Sequence, residues 1–118
     1  MPTDQTPTDI SLAGVLDTTV GVAADGNTFT NTGYEFAEII NGAGAPITVT
    51  VDVYPSGGPG APGGYVVTNP EITVANGTRK RIGPFRKRDF NNAAEKVLIT
   101  TSSQTTITMG VYRLTPTP

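Results

Sequence analysis

The sequence predicts a single all-β domain, a β-sandwich of about seven or eight short antiparallel strands, open to a jelly-roll-like arrangement. Three observations predict it. Thr, Val, Ile and Gly are abundant in a chain of 118 residues, and long helix-forming runs of Ala, Leu, Glu and Lys are missing. Ile47 to Tyr54 alternates apolar and polar residues at period two, the signature of a half-buried strand. Turn dipeptides and Gly/Pro clusters punctuate the remaining β-rich segments at short intervals. One domain of this length can bury a core that needs no covalent staple, and the chain has no cysteine to make one.

Met1 to Asp9 is a Pro/Thr/Asp segment with little to bury, so residues 1–9 are expected to form a flexible N-terminal arm that orders against neighbouring subunits. It is polar and acidic, unlike a signal peptide. The sandwich domain is expected over residues 10–114. Val15 to Ala23 reads as its first strand, with Asp25-Gly26-Asn27 as the turn that follows. Tyr34 to Ile40 is a further strand, less clearly alternating and so covered on both faces. Asn41 to Pro46 links it, as an expected hairpin, to the Ile47 strand. There Ile47, Val49, Val51 and Val53 face inward, and Thr48, Thr50, Asp52 and Tyr54 outward.

Residues 55–64 form a Gly/Pro loop that cannot pack and is expected to project. Short strands follow at Tyr65–Thr68, Glu71–Val74 and Thr78–Ile82, separated by Asn69-Pro70 and by Asn76-Gly77, a tight-turn pair. Asn91 to Glu95 carries the only helical hint, too short to stand alone. Lys96–Thr101 and Thr105–Leu114, joined by Thr101-Ser102-Ser103-Gln104, read as a hairpin with Val97, Ile99, Ile107, Met109 and Val111 inward. Residues 115–118 form an extended C-terminal tail.

Charge is unevenly spread. The net charge is −2, yet residues 1–78 hold eight acids and no Lys or Arg, while all eight basic residues follow. Six of them, Arg79, Lys80, Arg81, Arg86, Lys87 and Arg88, flank Ile82-Gly83-Pro84-Phe85. A turn at Gly83-Pro84 would fold the two triplets together and concentrate positive charge, which suits attachment to an acidic partner surface. The alternative is a solvated hairpin whose charges meet acids of the same fold. Within a strand, Arg79 and Arg81 share one face and Lys80 the other. Phe85 and Phe90 could stack on bases, but the acidic first two-thirds would repel phosphate, so nucleic acid is disfavoured.

Chemistry finds little support. There is no histidine and no cysteine, so a Ser-His-Asp triad and a thiolate metal site are both ruled out. Glu35 and Glu38 are close in sequence, but a strand would place them on opposite faces, and they read as two surface or rim carboxylates rather than a glycosidase pair. Asp25-Gly26-Asn27 lacks the remaining ligands of a calcium loop. No catalytic residue, cofactor, metal site or small-molecule substrate is assigned. No apolar run approaches the ~20 residues of a membrane helix, and no membrane partner is expected.

Over most of residues 17 to 114 the pieces keep a definite order. Asp25-Gly26-Asn27-Thr28-Phe29 is followed by Asn31-Thr32-Gly33 and a strand ending at Asn41-Gly42. The alternating Ile47–Val53 strand comes next, then Ile72 to Thr78 running into a turn, Arg81-Ile82-Gly83-Pro84-Phe85, Phe90-Asn91, and the Val97–Thr101 and Thr105–Leu114 pair. This order resembles small bacteriophage head decoration proteins, the capsid cement or auxiliary proteins with β-sandwich folds. The Gly/Pro loop and the dense basic cluster depart from that pattern. The resemblance implies a non-enzymatic virion structural protein, made in the host cytoplasm, that binds the outside of the capsid and bridges major capsid protein subunits. It also implies a homo-oligomer, with a trimer favoured. A tail, collar or fibre-base module is the next reading. A carbohydrate- or surface-binding sandwich is the third, supported by Tyr34, Tyr54, Tyr65 and Tyr112 and weakened by the lack of Trp. Purified protein should show no turnover of ester, phosphate or glycoside substrates; reproducible activity abolished by one Ser, Asp or Glu substitution would overturn the non-enzymatic reading.

Overall fold

A computed structural model describes residues 2–10, 19–53, 69–92 and 94–114. The Gly/Pro loop, the expected Tyr65–Thr68 strand, residues 15–18 and the C-terminal tail lie outside the described residues. Within them are ten strands and one helical turn: β1 (Thr3–Gln5), β2 (Thr8–Ile10), β3 (Val20–Gly21), β4 (Asn27–Thr30), β5 (Glu35–Asn41), β6 (Ile47–Val51), β7 (Glu71–Val74), β8 (Arg79–Ile82), α1 (Lys87–Phe90), β9 (Lys96–Thr101) and β10 (Ile107–Leu114). They form two mixed sheets, one ordered β1-β4-β9-β6-β7 and the other β2-β10-β5-β8, with β3 also on β10. The molecule is an all-β sandwich.

Period-two alternation builds the core. Ile47, Val49 and Val51 of β6 are buried, with Phe29, Val97 and Ile99 beside them in the same sheet. The facing sheet contributes Ala37, Ile39, Ile107, Met109 and Val111. Every residue expected inward is buried except Val53, which lies beyond the end of β6 and is only half-buried. β5 carries buried residues of both parities: Ala37 and Ile39 face the core, and on the outward side Glu38 is buried beneath Arg79 and Arg81.

Three expectations are corrected. The N-terminal segment is not a free arm: β1 pairs in parallel with β4, and β2 in parallel with β10, so the sandwich begins at Thr3. Edge pairing needs backbone groups rather than apolar side chains, which is why a polar segment can take part. Asn27 begins a strand instead of ending a turn, and Phe29 within it is fully buried. Gly26, at φ +96°, makes that entry possible, since a Cβ there would lie 2.8 Å from the Ile99 carbonyl oxygen. Finally, β9–β10 and β5–β6 are not hairpins. Their members sit in different sheets, so each connecting turn crosses the sandwich.

Indeed every connection except β2–β3 and β6–β7 passes from one sheet to the other. Such crossings carry peptide groups over the rim of the core, where they need partners other than water. Asn41, 1 % exposed at the end of β5, serves two crossings at once. Its Nδ2 donates to the carbonyls of Ala45 (2.9 Å) and Val74 (3.0 Å), and its Oδ1 accepts from the Ala43 N–H (2.9 Å). Its backbone N–H donates to Thr78 and its carbonyl accepts from Gly77, locking the β7–β8 turn to the β5–β6 turn. Asn31 does the same work near α1, donating to the Phe85 carbonyl (3.0 Å) and to Asn91 Oδ1 (2.7 Å).

Val51→Ala should destabilise the fold by roughly 1–3 kcal/mol, a lost-methyl and cavity effect. Asn41→Leu, which keeps the bulk but leaves three backbone groups unmet, should cost at least as much, on the order of 2–4 kcal/mol. Urea denaturation of both variants measures this; an Asn41→Leu protein as stable as the parent would refute the role given to Asn41.

Candidate partner-binding surface

The basic window starts on β8, the edge strand of the β2-β10-β5-β8 sheet. β8 is antiparallel to β5, with Arg81 opposite Glu38 and Arg79 opposite Ile40. Arg79 and Arg81 therefore project on the side of Glu38, and Lys80 on the other. The chain does not fold back at Gly83-Pro84. Gly83, at φ +134°, passes directly over Phe36, where a Cβ would meet the Phe36 Cβ at 2.9 Å. Arg86 and Lys87 then lie beside Gly33, lining with it, Pro84 and Phe85 a groove of about 540 Å³. Residues 79 to 87 thus track β5 backwards from Ile40 towards Gly33. The two triplets sit at opposite ends of one sheet edge instead of together.

Some of the expected acids belong to the same chain. Glu38, 2 % exposed, accepts from Arg81 Nε at 3.0 Å and from Arg79 Nη1 at 3.4 Å. It is not a surface carboxylate, and neither is Glu35, which is wholly buried. One carboxylate thus serves two guanidiniums. Arg86 meets Asp89, three residues on, at 3.7 Å. Arg86 is exposed and Asp89 half-buried, and a single pair at that distance contributes little. Lys80 reaches across the open side of the sandwich and donates from Nζ to the Thr73 carbonyl on β7 (2.8 Å), tying the edge strands of the two sheets together. Among the described residues, no carboxylate pairs with Lys80 or Lys87. The backbone of Arg88 lies within α1, and its side chain is outside the described part.

Phe85 is not available to stack on a base. It is buried, with its ring centroid 5.6 Å from Phe29 and 5.7 Å from Phe90, which packs on the same core. Glu38 as the acceptor for the basic strand was not foreseen. The signal for it was the alternation of β8 combined with its register on β5, and register is not readable from either strand alone.

Glu35 faces the interior at the end of β5, opposite Arg113 of β10, whose Nε donates to Oε2. Its Oε1 accepts from the N–H groups of Thr32 (2.7 Å) and Tyr34 (3.2 Å), and the Thr32 hydroxyl donates to both oxygens. Burial pushes the carboxyl up. The Thr32 N–H, the Arg113 guanidinium and the Thr32 hydroxyl outweigh it and hold the group below the usual carboxylate range. Both carboxylates are thus engaged by the fold, and no group of three or more Asp or Glu that could hold a metal ion occurs among the described residues.

No family model matches the chain, and neither does any curated protein or any solved structure.

A carboxyl lowered by folding stabilises the protein above its unfolded value, 4.5 for Glu35, and that contribution is lost as pH falls through the lower folded value. Glu35→Gln should therefore be less stable than the parent at pH 7. The gap should narrow as pH drops below about 4.5. Urea unfolding at several pH values measures it; a gap constant down to pH 2 would show that ionisation of Glu35 contributes nothing.

Proposed function

We propose that this chain is a non-enzymatic β-sandwich that docks through its cationic sheet edge onto an acidic protein surface. In its specific form, it binds the outside of a bacteriophage capsid and bridges major capsid subunits. The observation that carries the reading is the row of exposed cations along β8 and into α1, in which Lys80 and Lys87 meet no carboxylate among the described residues. A charged edge also resists sheet-to-sheet aggregation, so the row serves the free protein as well. The burial of Phe85 within the core speaks against a single-stranded nucleic acid as the partner, since base stacking needs an open ring. The resemblance of the sequence order to decoration proteins supports a capsid as the acidic surface, and repeated engagement on a lattice would add avidity to weak single contacts.

Two measurements test this. Mass spectrometry of purified virions should find the chain at shell-like copy number; a few copies per particle would favour a tail, collar or fibre-base module, and absence would end the virion reading. The combined substitution of Arg86, Lys87 and Arg88 by Gln should leave the fold intact and weaken particle binding roughly tenfold. Binding by the parent should fall as salt rises, because such contacts are screened over ~8–10 Å. Equal occupancy by parent and variant at every salt concentration would show the basic edge to be a solvated surface only.

A further inference from the structure

The N-terminal segment stands apart from the rest of the sandwich. Its two strands make the only parallel pairs among the described strands, and each ladder is three residues long. β1 closes the edge of one sheet on β4 and β2 the edge of the other on β10, so nine residues zip both sheets shut along one side. The segment does this without entering the core: among the described residues, none before Val22 belongs to the buried cluster.

Its attachments are polar and specific. Asp4 meets Lys96 Nζ at 2.9 Å and accepts from the Thr28 hydroxyl at 3.1 Å. Gln5 accepts from Asn27 Nδ2 at 3.0 Å through Oε1, and donates from Nε2 to the Met109 carbonyl of the opposite sheet at 3.1 Å. Asp9 lies 3.7 Å from Arg113 Nη1. Asn27 is buried, so whatever fills this edge must offer it an acceptor. The groove along Thr3, Asp4, Gln5, Thr8, Val20 and Gly21 continues the same surface.

From this we infer that residues 2–10 are an exchangeable strand pair, and that the partner fitting the vacated edges of β4 and β10 is the same segment of a second copy of this chain. Leaving the home edges forfeits backbone ladders and polar contacts that an identical segment restores one for one, and almost no apolar burial changes hands. Nine residues, 11–19, separate the segment from β3, and a chain of that length spans up to roughly 30 Å. The balance then turns on concentration. The home edge competes at an effective concentration in the mM range, so exchange accumulates where copies are crowded together at about that level. The complementary groups, Gln5 with Asn27, Asp4 with Lys96 and Asp9 with Arg113, select this segment over an unrelated strand. The inference concerns a different face from the basic edge and holds whether or not the partner of that edge is a capsid.

The chain has no cysteine, so introduced thiols report alone. Asp4→Cys and Thr28→Cys, which face each other in register, would be made as separate full-length proteins, one isotope-labelled, then mixed and oxidised. Exchange predicts an interchain disulfide between positions 4 and 28, rising with concentration from about 10 µM to about 1 mM. Its yield should be roughly tenfold above a control that pairs Asp4→Cys with Glu71→Cys on the far edge of the sheet. A second pair, Ile10→Cys with Leu114→Cys, reads the other sheet and guards against a misfolded first pair. Interchain yields no higher than the control for both pairs at every concentration would overturn the inference.

Discussion

A chain that passes from one sheet to the other drags its peptide groups across the margin of an apolar interior, and each of those groups must find a hydrogen-bond partner there. In this molecule nearly every connection makes that passage, so the whole architecture depends on how the crossings are satisfied. The solution is a set of buried side chains at the strand ends, the amides Asn27, Asn31 and Asn41 and the carboxylate Glu35. Among the described residues, none of the buried side-chain nitrogen or oxygen atoms lacks a partner. A buried network of this kind is favourable only when complete, and completeness fixes which turn lies against which. Asn41 shows the logic best, because a single side chain and its own peptide group hold two turns that are more than thirty residues apart in sequence.

The two glutamates of β5 extend the same principle from dipoles to charges. Glu35 points inward and Glu38 outward, and each meets arginine from the strand paired beside it. β5 is thereby clamped from both flanks, by Arg113 of β10 and by Arg79 and Arg81 of β8. Gly110 stands opposite Glu38 on β10, and the Tyr112 ring lies over it, leaving no room for a Cβ: one placed there would sit 2.8 Å from the tyrosine oxygen. The same tyrosine packs on Phe36 with ring centroids 5.6 Å apart. The outer face of this sheet is therefore partly closed as well, and its open part is the cationic edge.

Much of the fold was legible because period-two alternation is a local signal. Lys96–Thr101 and Glu71–Val74 have the boundaries read from sequence, and the inward residues of β6, β9 and β10 are the ones buried. What a strand pairs with is not local. Four to six turn residues can fold a chain back within its own sheet or carry it ~10 Å to the facing one, and nothing in Thr101-Ser102-Ser103-Gln104 chooses between these. The N-terminal strands escaped for another reason: Thr-Asp-Gln and Thr-Asp-Ile offer no apolar pattern, and their place is fixed by backbone ladders. At the candidate surface the basic window itself was plain, whereas the split of its charges between Glu38, Asp89 and the Thr73 carbonyl required the register of β8 on β5.

The position of β10 has a consequence for how the chain is made. It follows every other strand in sequence, yet it lies inside its sheet and pairs with β2, β3 and β5. On the ribosome, where synthesis proceeds at ≈ 5–20 residues per second, that sheet cannot assemble until residue 114 has emerged. Until then β5 waits with two buried-to-be glutamates and an uncovered apolar face. The facing sheet lacks no strand by residue 101, but it has nothing to pack against. The topology thus sets an order: the sheet that holds β10 closes only after every other described strand has been made.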